Sequence, residues 1–158
     1  MRVATVDGLV TLFYDGSREL YDWYLHKEWG CKSRFHHQDD WKEWEELDLS
    51  DECKDYWRER QSWQQVIVVE GVTVIPEHTF AHCFNIKKVI FANTVVRIEY
   101  RAFLACQNLV YIKLPTSLVF IALYSFFGCN LFSVFIPPEC KEIGSEALAY
   151  NENLKIVN

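Results

Sequence analysis

The chain has 158 residues and a mass of 18.7 kDa, which suits one domain or one domain with a sizeable cap. Half of the residues are apolar and 16% are aromatic, which excludes an intrinsically disordered chain because so much apolar surface can be buried. The net charge is −6, whereas a domain that binds nucleic acid is usually basic, so we expect no nucleic-acid partner.

The sequence shows no sign of export or membrane insertion. No apolar run approaches the roughly 20 residues that a membrane helix needs. Asp7 interrupts the apolar start that a secretion signal requires. We therefore expect an intracellular protein without a membrane span.

Residues 1–65 predict an α+β N-terminal cap. The segments Val3–Val6 and Leu9–Tyr14 flank an Asp7-Gly8 pair, which predicts a β-hairpin. The remaining part of the cap predicts three short helices, over residues 18–28, 39–47 and 50–61. We predict that this segment covers the open apolar end of the structure that follows. The alternative is that its tryptophans form a docking surface.

The composition changes near residue 65, which predicts a boundary there. Residues 1–65 contain all six tryptophans, nine basic residues and fifteen acidic ones. Residues 66–158 contain seven basic and seven acidic residues, and four of the six cysteines. We therefore divide the chain into a tryptophan-rich cap, residues 1–65, and a second region, residues 66–158.

The second region contains an internal repeat of 22–23 residues. Apolar residues or cysteine recur at offsets of 0, 5, 8, 11, 14 and 16 from the isoleucine that starts each unit, with one residue missing in the third unit. The units start at Ile75, Ile98, Ile121 and Ile143. Because a unit this short cannot bury its own apolar face, the units must stack and share one core.

Each repeat ends in an alternating pattern, which predicts a short strand. The strands Val89–Phe91, Ile112–Leu114 and Val134–Ile136 would be neighbours in one parallel sheet. Residues 100–105 and 123–128 predict helical or 3₁₀ turns on the opposite side. The sequence thus predicts an α/β solenoid of about four units, with a parallel sheet on one face and an α+β N-terminal cap.

The repeat resembles the BspA-type leucine-rich repeat. The matching segments are Ile98, Ala102-Phe103, Cys106, Leu109, Ile112-x-Leu114-Pro115, Ile136-Pro137 and Ile143-Gly144. The chain is also similar to small intracellular repeat proteins that are abundant in diatoms. These resemblances imply a protein-interaction or adhesion module that has no catalytic activity.

Three cysteines occupy the same offset in successive units: Cys83, Cys106 and Cys129. Their spacing follows the repeat and not a chelating motif, so we predict that they pack as small apolar residues. Two incomplete metal-ligand sets are His78 and His82 with Cys83, and Cys31 with His36 and His37. An enzymatic or metal site in the first 65 residues is the less favoured alternative, and we predict no catalytic residue, metal or cofactor.

The positions between buried residues of each strand should lie on the outer surface of the sheet, here called the strand face. We predict a partner-binding site on the strand face, formed by Lys87, Lys88, Ile90, Tyr111, Lys113, Phe132, Phe135 and Lys155. Four of the seven basic residues of the repeat region fall in this set, and none of its seven acidic residues does. The same reasoning places Ile156 outward and Val157 inward on the last strand.

Exposed aromatic residues are costly unless something covers them, so the strand face favours a protein partner, and its lysines favour an acidic one. The alternative cover is the chain itself or a second copy. The predicted function is a non-catalytic protein–protein interaction module, and the alternative is a structural assembly subunit. A second copy that meets the apolar end of the last unit would form a homodimer through the C-terminal repeat.

Overall fold

The computed structural model describes residues 2–16 and 51–157. Two antiparallel strands, β1 (Arg2–Val6) and β2 (Leu9–Tyr14), open the chain. Asp7 and Gly8 join them with positive φ angles of 50° and 76°, as a two-residue type I′ turn requires. The predicted N-terminal hairpin is therefore confirmed.

A helix, α1 (Asp51–Ser62), precedes two series of strands on opposite sides of the molecule. One series comprises β3 (Gln65–Val68), β5 (Lys88–Ile90), β7 (Tyr111–Lys113), β9 (Ser133–Phe135) and β11 (Lys155–Val157). The other comprises β4 (Val74–Ile75), β6 (Arg97–Ile98), β8 (Phe120–Ile121) and β10 (Glu142–Ile143). The predicted helix over residues 50–61 is confirmed, and those over 18–28 and 39–47 lie outside the described residues.

The strands form two sheets that run along a solenoid of about four turns. The larger sheet has the order β1-β2-β3-β5-β7-β9-β11, and every pair in it after the first is parallel. The smaller sheet has the order β10-β8-β6-β4 and is parallel throughout. The predicted parallel sheet is confirmed.

Of the predicted helical or 3₁₀ turns opposite the larger sheet, the structure has single turns with i→i−3 hydrogen bonds and no helix, so the fold is a β-solenoid and not an α/β solenoid. Residues 100–105 and 123–128 form hydrogen-bonded turns, and α1 is the only helix in the described ranges. The physical reason is a pair of left-handed residues four positions apart in each turn, which a right-handed helix does not accept. They are Arg101 and Ala105 in one turn, and Tyr124 and Gly128 in the next.

The last strand lies one residue away from its predicted register. Ile156 pairs with Val134, and Val157 pairs with Phe135, so Ile156 belongs to the inward column and Val157 does not. The prediction was wrong because the fourth unit, like the third, is one residue shorter than the first two. Ile156 follows its starting isoleucine by 13 residues, as Val134 does, whereas Ile112 follows Ile98 by 14.

A ladder of phenylalanines runs through the core between the two sheets. The ring of Phe103 stacks on the ring of Phe80 at 4.9 Å and on that of Phe126 at 5.1 Å. All three side chains are fully buried, and Tyr14 from β2 meets Phe80 edge-on at 5.3 Å. The core therefore includes the N-terminal hairpin as well as the repeats.

The solenoid begins before the first unit that the sequence revealed. Trp63 and Val66 stand 23 residues before Ile86 and Val89, and all four side chains are fully buried. Too few offsets of this earlier unit are present to form a recognisable repeat, so Trp63 is assigned to the cap when only the sequence is considered. Since β2 pairs with β3, the larger sheet crosses residue 65, and the boundary there stays a prediction.

A buried arginine completes the backbone hydrogen bonding at the N-terminal end. Between units, a backbone N–H donates to a carbonyl of the next unit, as from Phe80 N to Ala102 O at 2.7 Å. Arg60 on α1 donates from Nη2 to two carbonyls of the first unit, Thr79 O at 3.0 Å and Ala81 O at 3.1 Å. The guanidinium thus takes the place of the N–H groups that a preceding unit would supply.

Replacing Phe103 with alanine should cost about 3–5 kcal/mol of unfolding free energy, because the substitution leaves a cavity in the stacked ladder. Phe132→Ala should cost less than about 1 kcal/mol, because that ring is mostly exposed. Urea unfolding followed by circular dichroism measures both values. Equal losses for the two variants would contradict the assigned register.

Arg60→Met should cost about 2 kcal/mol, because two buried carbonyls lose their donor. Arg58→Met is the matched control on the same helix, since the Arg58 side chain is 73% exposed and forms only a surface ion pair with Asp55. We expect a loss below about 0.5 kcal/mol for this control. The end-capping role of Arg60 is refuted if both variants unfold at the same urea concentration.

Candidate protein-interaction surface

The parallel register brings the predicted site residues together on the strand face in two rows. The first row crosses four strands and contains Lys88, Tyr111, Ser133 and Lys155. The second row contains Ile90, Lys113 and Phe135. Lys87 and Phe132 directly precede β5 and β9 and border the first row. Because neighbouring strands lie about 4.8 Å apart, each row is a continuous surface.

Aromatic side chains on the strand face are open to solvent. Phe132 is 58% exposed, Phe135 52% and Tyr111 47%, whereas Ile112 and Val134 on the same strands are buried. The predicted alternation of buried and outward residues is therefore confirmed for these strands. These rings form an exposed apolar patch on the surface of the larger sheet.

The exposed part of this sheet surface lies toward its C-terminal strands. In the same row as Lys88, β2 and β3 present Thr11 and Gln65, which are almost completely buried. Gln65 Nε2 donates to Thr11 Oγ1 at 3.3 Å. Lys88 and Ile90 on β5 are partly buried, so the accessible surface comprises mainly β7, β9 and β11.

Two lysines of the first row stack on aromatic rings. Lys88 Nζ lies 5.6 Å from the ring centroid of Tyr111, and Lys155 Nζ lies 5.4 Å from that of Phe132. These distances suit cation–π attraction, which holds each ammonium over the sheet. Strands β5, β7, β9 and β11 contain no acidic residue, so the surface carries positive charge beside apolar rings.

A shallow depression lies at the centre of the exposed surface. Its lining includes Val110, Tyr111, Lys113, Phe132, Ser133, Phe135 and Pro137. Ser133 is the smallest residue of the first row, and the larger side chains of Tyr111, Phe132 and Phe135 line the depression around it. Ser133 was not among the predicted site residues, because a single serine does not indicate a depression until the sizes of its neighbours in the sheet are known.

The cysteine ladder is buried in the core, as predicted. Cys106 Sγ donates to Phe80 O at 3.1 Å, and Cys129 Sγ donates to Phe103 O at 3.2 Å. Burial raises the pKa of the Cys83 thiol to about 12 and also raises the pKa of Cys106. Thiols that stay protonated are poor metal ligands and poor nucleophiles.

The described residues contain no cluster of three or more histidine, cysteine or acidic side chains that could hold a metal ion. His78 and His82 both have a φ of 57°, so they do not lie on the helix that their i, i+4 spacing would need to bind zinc. The other incomplete set, Cys31 with His36 and His37, lies outside the described residues.

Residues 61–158 match the family described as BspA type leucine-rich repeat region (6 copies). A leucine-rich repeat protein from Bacteroides ovatus is 27% identical with a TM-score of 0.57, and the match covers 62% of this chain and 26% of that one. A leucine-rich repeat protein from Eubacterium ventriosum is 25% identical with a TM-score of 0.55, and the match covers 71% and 32%.

The matched region spans about a quarter to a third of the length of these two structures. The comparison with curated proteins finds no match. Within residues 2–16 and 51–157, no helix is both long enough and apolar enough to cross a membrane.

Protonation of His82 should destabilise the fold in acid. Burial, then repulsion by Arg60 and Arg101, lowers its pKa to about 4. The unfolded state, with an ordinary histidine pKa near 6.5, binds more protons between these values, so stability is full above about pH 6.5 and falls toward pH 4. We expect His82→Gln to reduce the difference in unfolding free energy between pH 7 and pH 4.5 by about 2 kcal/mol. An unchanged pH dependence in denaturant titrations would exclude this role.

Proposed function

This chain belongs to the BspA-type leucine-rich-repeat family, and we propose that it is a non-catalytic module that binds an acidic protein partner on its strand face. Leucine-rich-repeat proteins generally serve as protein-interaction modules, and this family and its structural neighbours are typically non-catalytic. The proposal assigns that general role to one surface of this molecule.

The observation that carries the proposal is the pairing of lysines with exposed rings on strands that contain no acidic residue. The exposed rings of Phe132 and Phe135 would gain free energy when a partner covers them. The lysines would attract an acidic partner and orient it during the encounter. Neither property is needed for the stability of the solenoid, whose core lies on the other side of these strands.

The proposal also assigns residues 1–65 to the N-terminal cap. Arg60 supports this role, because its guanidinium satisfies two carbonyls of the first unit. Cys83, Cys106, Cys129 and Cys140 are free thiols, which suits the intracellular location that we propose.

A second copy of the chain is the alternative occupant, as a structural assembly subunit would require. Three apolar side chains of the last unit are exposed: Ile143, Tyr150 and Ile156. They support a homodimer through the C-terminal repeat. Sedimentation of the wild type over a range of concentrations distinguishes this alternative from the binding of a different partner.

Charge reversal on the strand face should weaken binding of a fluorescein-labelled octaglutamate peptide, measured by anisotropy at low ionic strength. We expect Lys113→Glu to weaken it about fivefold and the double variant Lys88→Glu, Lys113→Glu to weaken it further. Lys141→Glu is the matched control, because Lys141 is also exposed but precedes β10 in the smaller sheet. Equal effects of Lys113→Glu and Lys141→Glu would mean that the strand face is not the site.

A further inference from the structure

The depression at Ser133 gives the strand face a selectivity that charge alone does not supply. Tyr111 and Lys155 stand on either side of Ser133 in the first row, while Phe132 and Phe135 flank it along the same strand. The lining of the depression carries three aromatic rings, those of Tyr111, Phe132 and Phe135, beside the side chain of Lys113, so a ligand side chain that enters it meets mainly aromatic walls. An aromatic ring fits such walls better than a charged group does.

Positive charges bracket this depression. Lys88 lies on β5 with its Nζ over the ring of Tyr111 on β7. Lys155 lies on β11 with its Nζ over the ring of Phe132, which directly precedes β9. The two ammonium groups therefore approach the depression from opposite directions along the solenoid axis. A ligand that lies across the strands would meet a positive charge, an apolar depression and a second positive charge in that order.

We propose that the strand face binds an extended peptide with an acidic residue, an aromatic residue and a second acidic residue at alternate positions. The peptide would run across the strands from β5 to β11, with its aromatic ring in the depression between β7 and β9 and its carboxylates at Lys88 and Lys155. This inference rests on the proposed function and specifies the ligand of that site.

The spacing of the sheet matches this pattern. From β5 to β11 there are three strand spacings of about 4.8 Å, which together are about 14 Å. In an extended peptide, side chains at positions i, i+2 and i+4 lie on one side, and positions i and i+4 are about 13 Å apart. Position i+2 then lies midway between β5 and β11, over the depression.

Three capped pentapeptides test the pattern against the full-length protein by isothermal titration calorimetry. The first is acetyl-Glu-Thr-Trp-Thr-Glu-amide, the second has alanine in place of tryptophan, and the third has the same composition with the two glutamates adjacent. We expect the first peptide to bind at least about tenfold more tightly than either of the others, because only it satisfies both lysines and the depression.

Substitutions at Ser133 test the depression itself. Ser133→Leu should narrow the depression and reduce the advantage of the tryptophan peptide over the alanine peptide. Ser133→Ala is the matched control and should preserve that advantage, because it leaves the depression open. Urea unfolding followed by circular dichroism checks that both variants are folded, as we expect because Ser133 is exposed and neither substitution disturbs the core.

The outcomes separate this inference from the proposed function. If the three pentapeptides bind alike while octaglutamate binding still depends on Lys113, the strand face binds acidic ligands and the alternating pattern is wrong. The same conclusion follows if Ser133→Leu leaves the advantage of the tryptophan peptide unchanged. If Lys113→Glu and Lys141→Glu affect octaglutamate equally, the inference fails together with the proposed function.

Discussion

The structure depends on backbone hydrogen bonds that join each repeat to the next one. In each turn, N–H groups of one unit donate to carbonyls of the following unit, as from Phe103 N to Ser125 O and from Phe126 N to Ala147 O. These bonds require the units to stand in register, so each position of the repeat becomes a column along the solenoid. The stacked phenylalanines and the buried thiols are two such columns. No unit could bury its apolar side chains without its neighbours.

The same constraint explains the polar residues at the two ends of the thiol column. Arg60 stands 23 residues before Cys83 and donates to carbonyls of the first unit. At the other end, Asn151 stands in the column after Cys129, where its Nδ2 donates to Phe126 O and its Oδ1 accepts from Leu131 N, each at 2.9 Å. The inner units carry a cysteine in this column, whereas the residues at its two ends have side chains that form more hydrogen bonds.

Stacking also determines the surface that is available for binding. The inward residues of β7 and β9 belong to the shared core, so their outward residues contribute little to stability and are free to vary in chemistry. In this protein the outward positions carry lysines beside Tyr111, Phe132 and Phe135, around the small residue Ser133. The parallel register holds these groups at the strand spacing, which would reduce the entropy lost on binding the proposed partner.

From the sequence we predicted the repeat, the parallel sheet, the buried positions of Phe103 and Cys106 and the outward lysines, because a periodic pattern indicates which side of a strand each residue occupies. The sequence did not predict the smaller sheet, since two-residue strands such as β6 are too short to show a period. Three features were visible only in the folded structure: the register of Ile156, the role of Arg60 as a substitute backbone donor, and the depression at Ser133. These three features depend on which residues stand side by side in adjacent units, and shortened units or incomplete repeats change that alignment without leaving a local signal in the sequence.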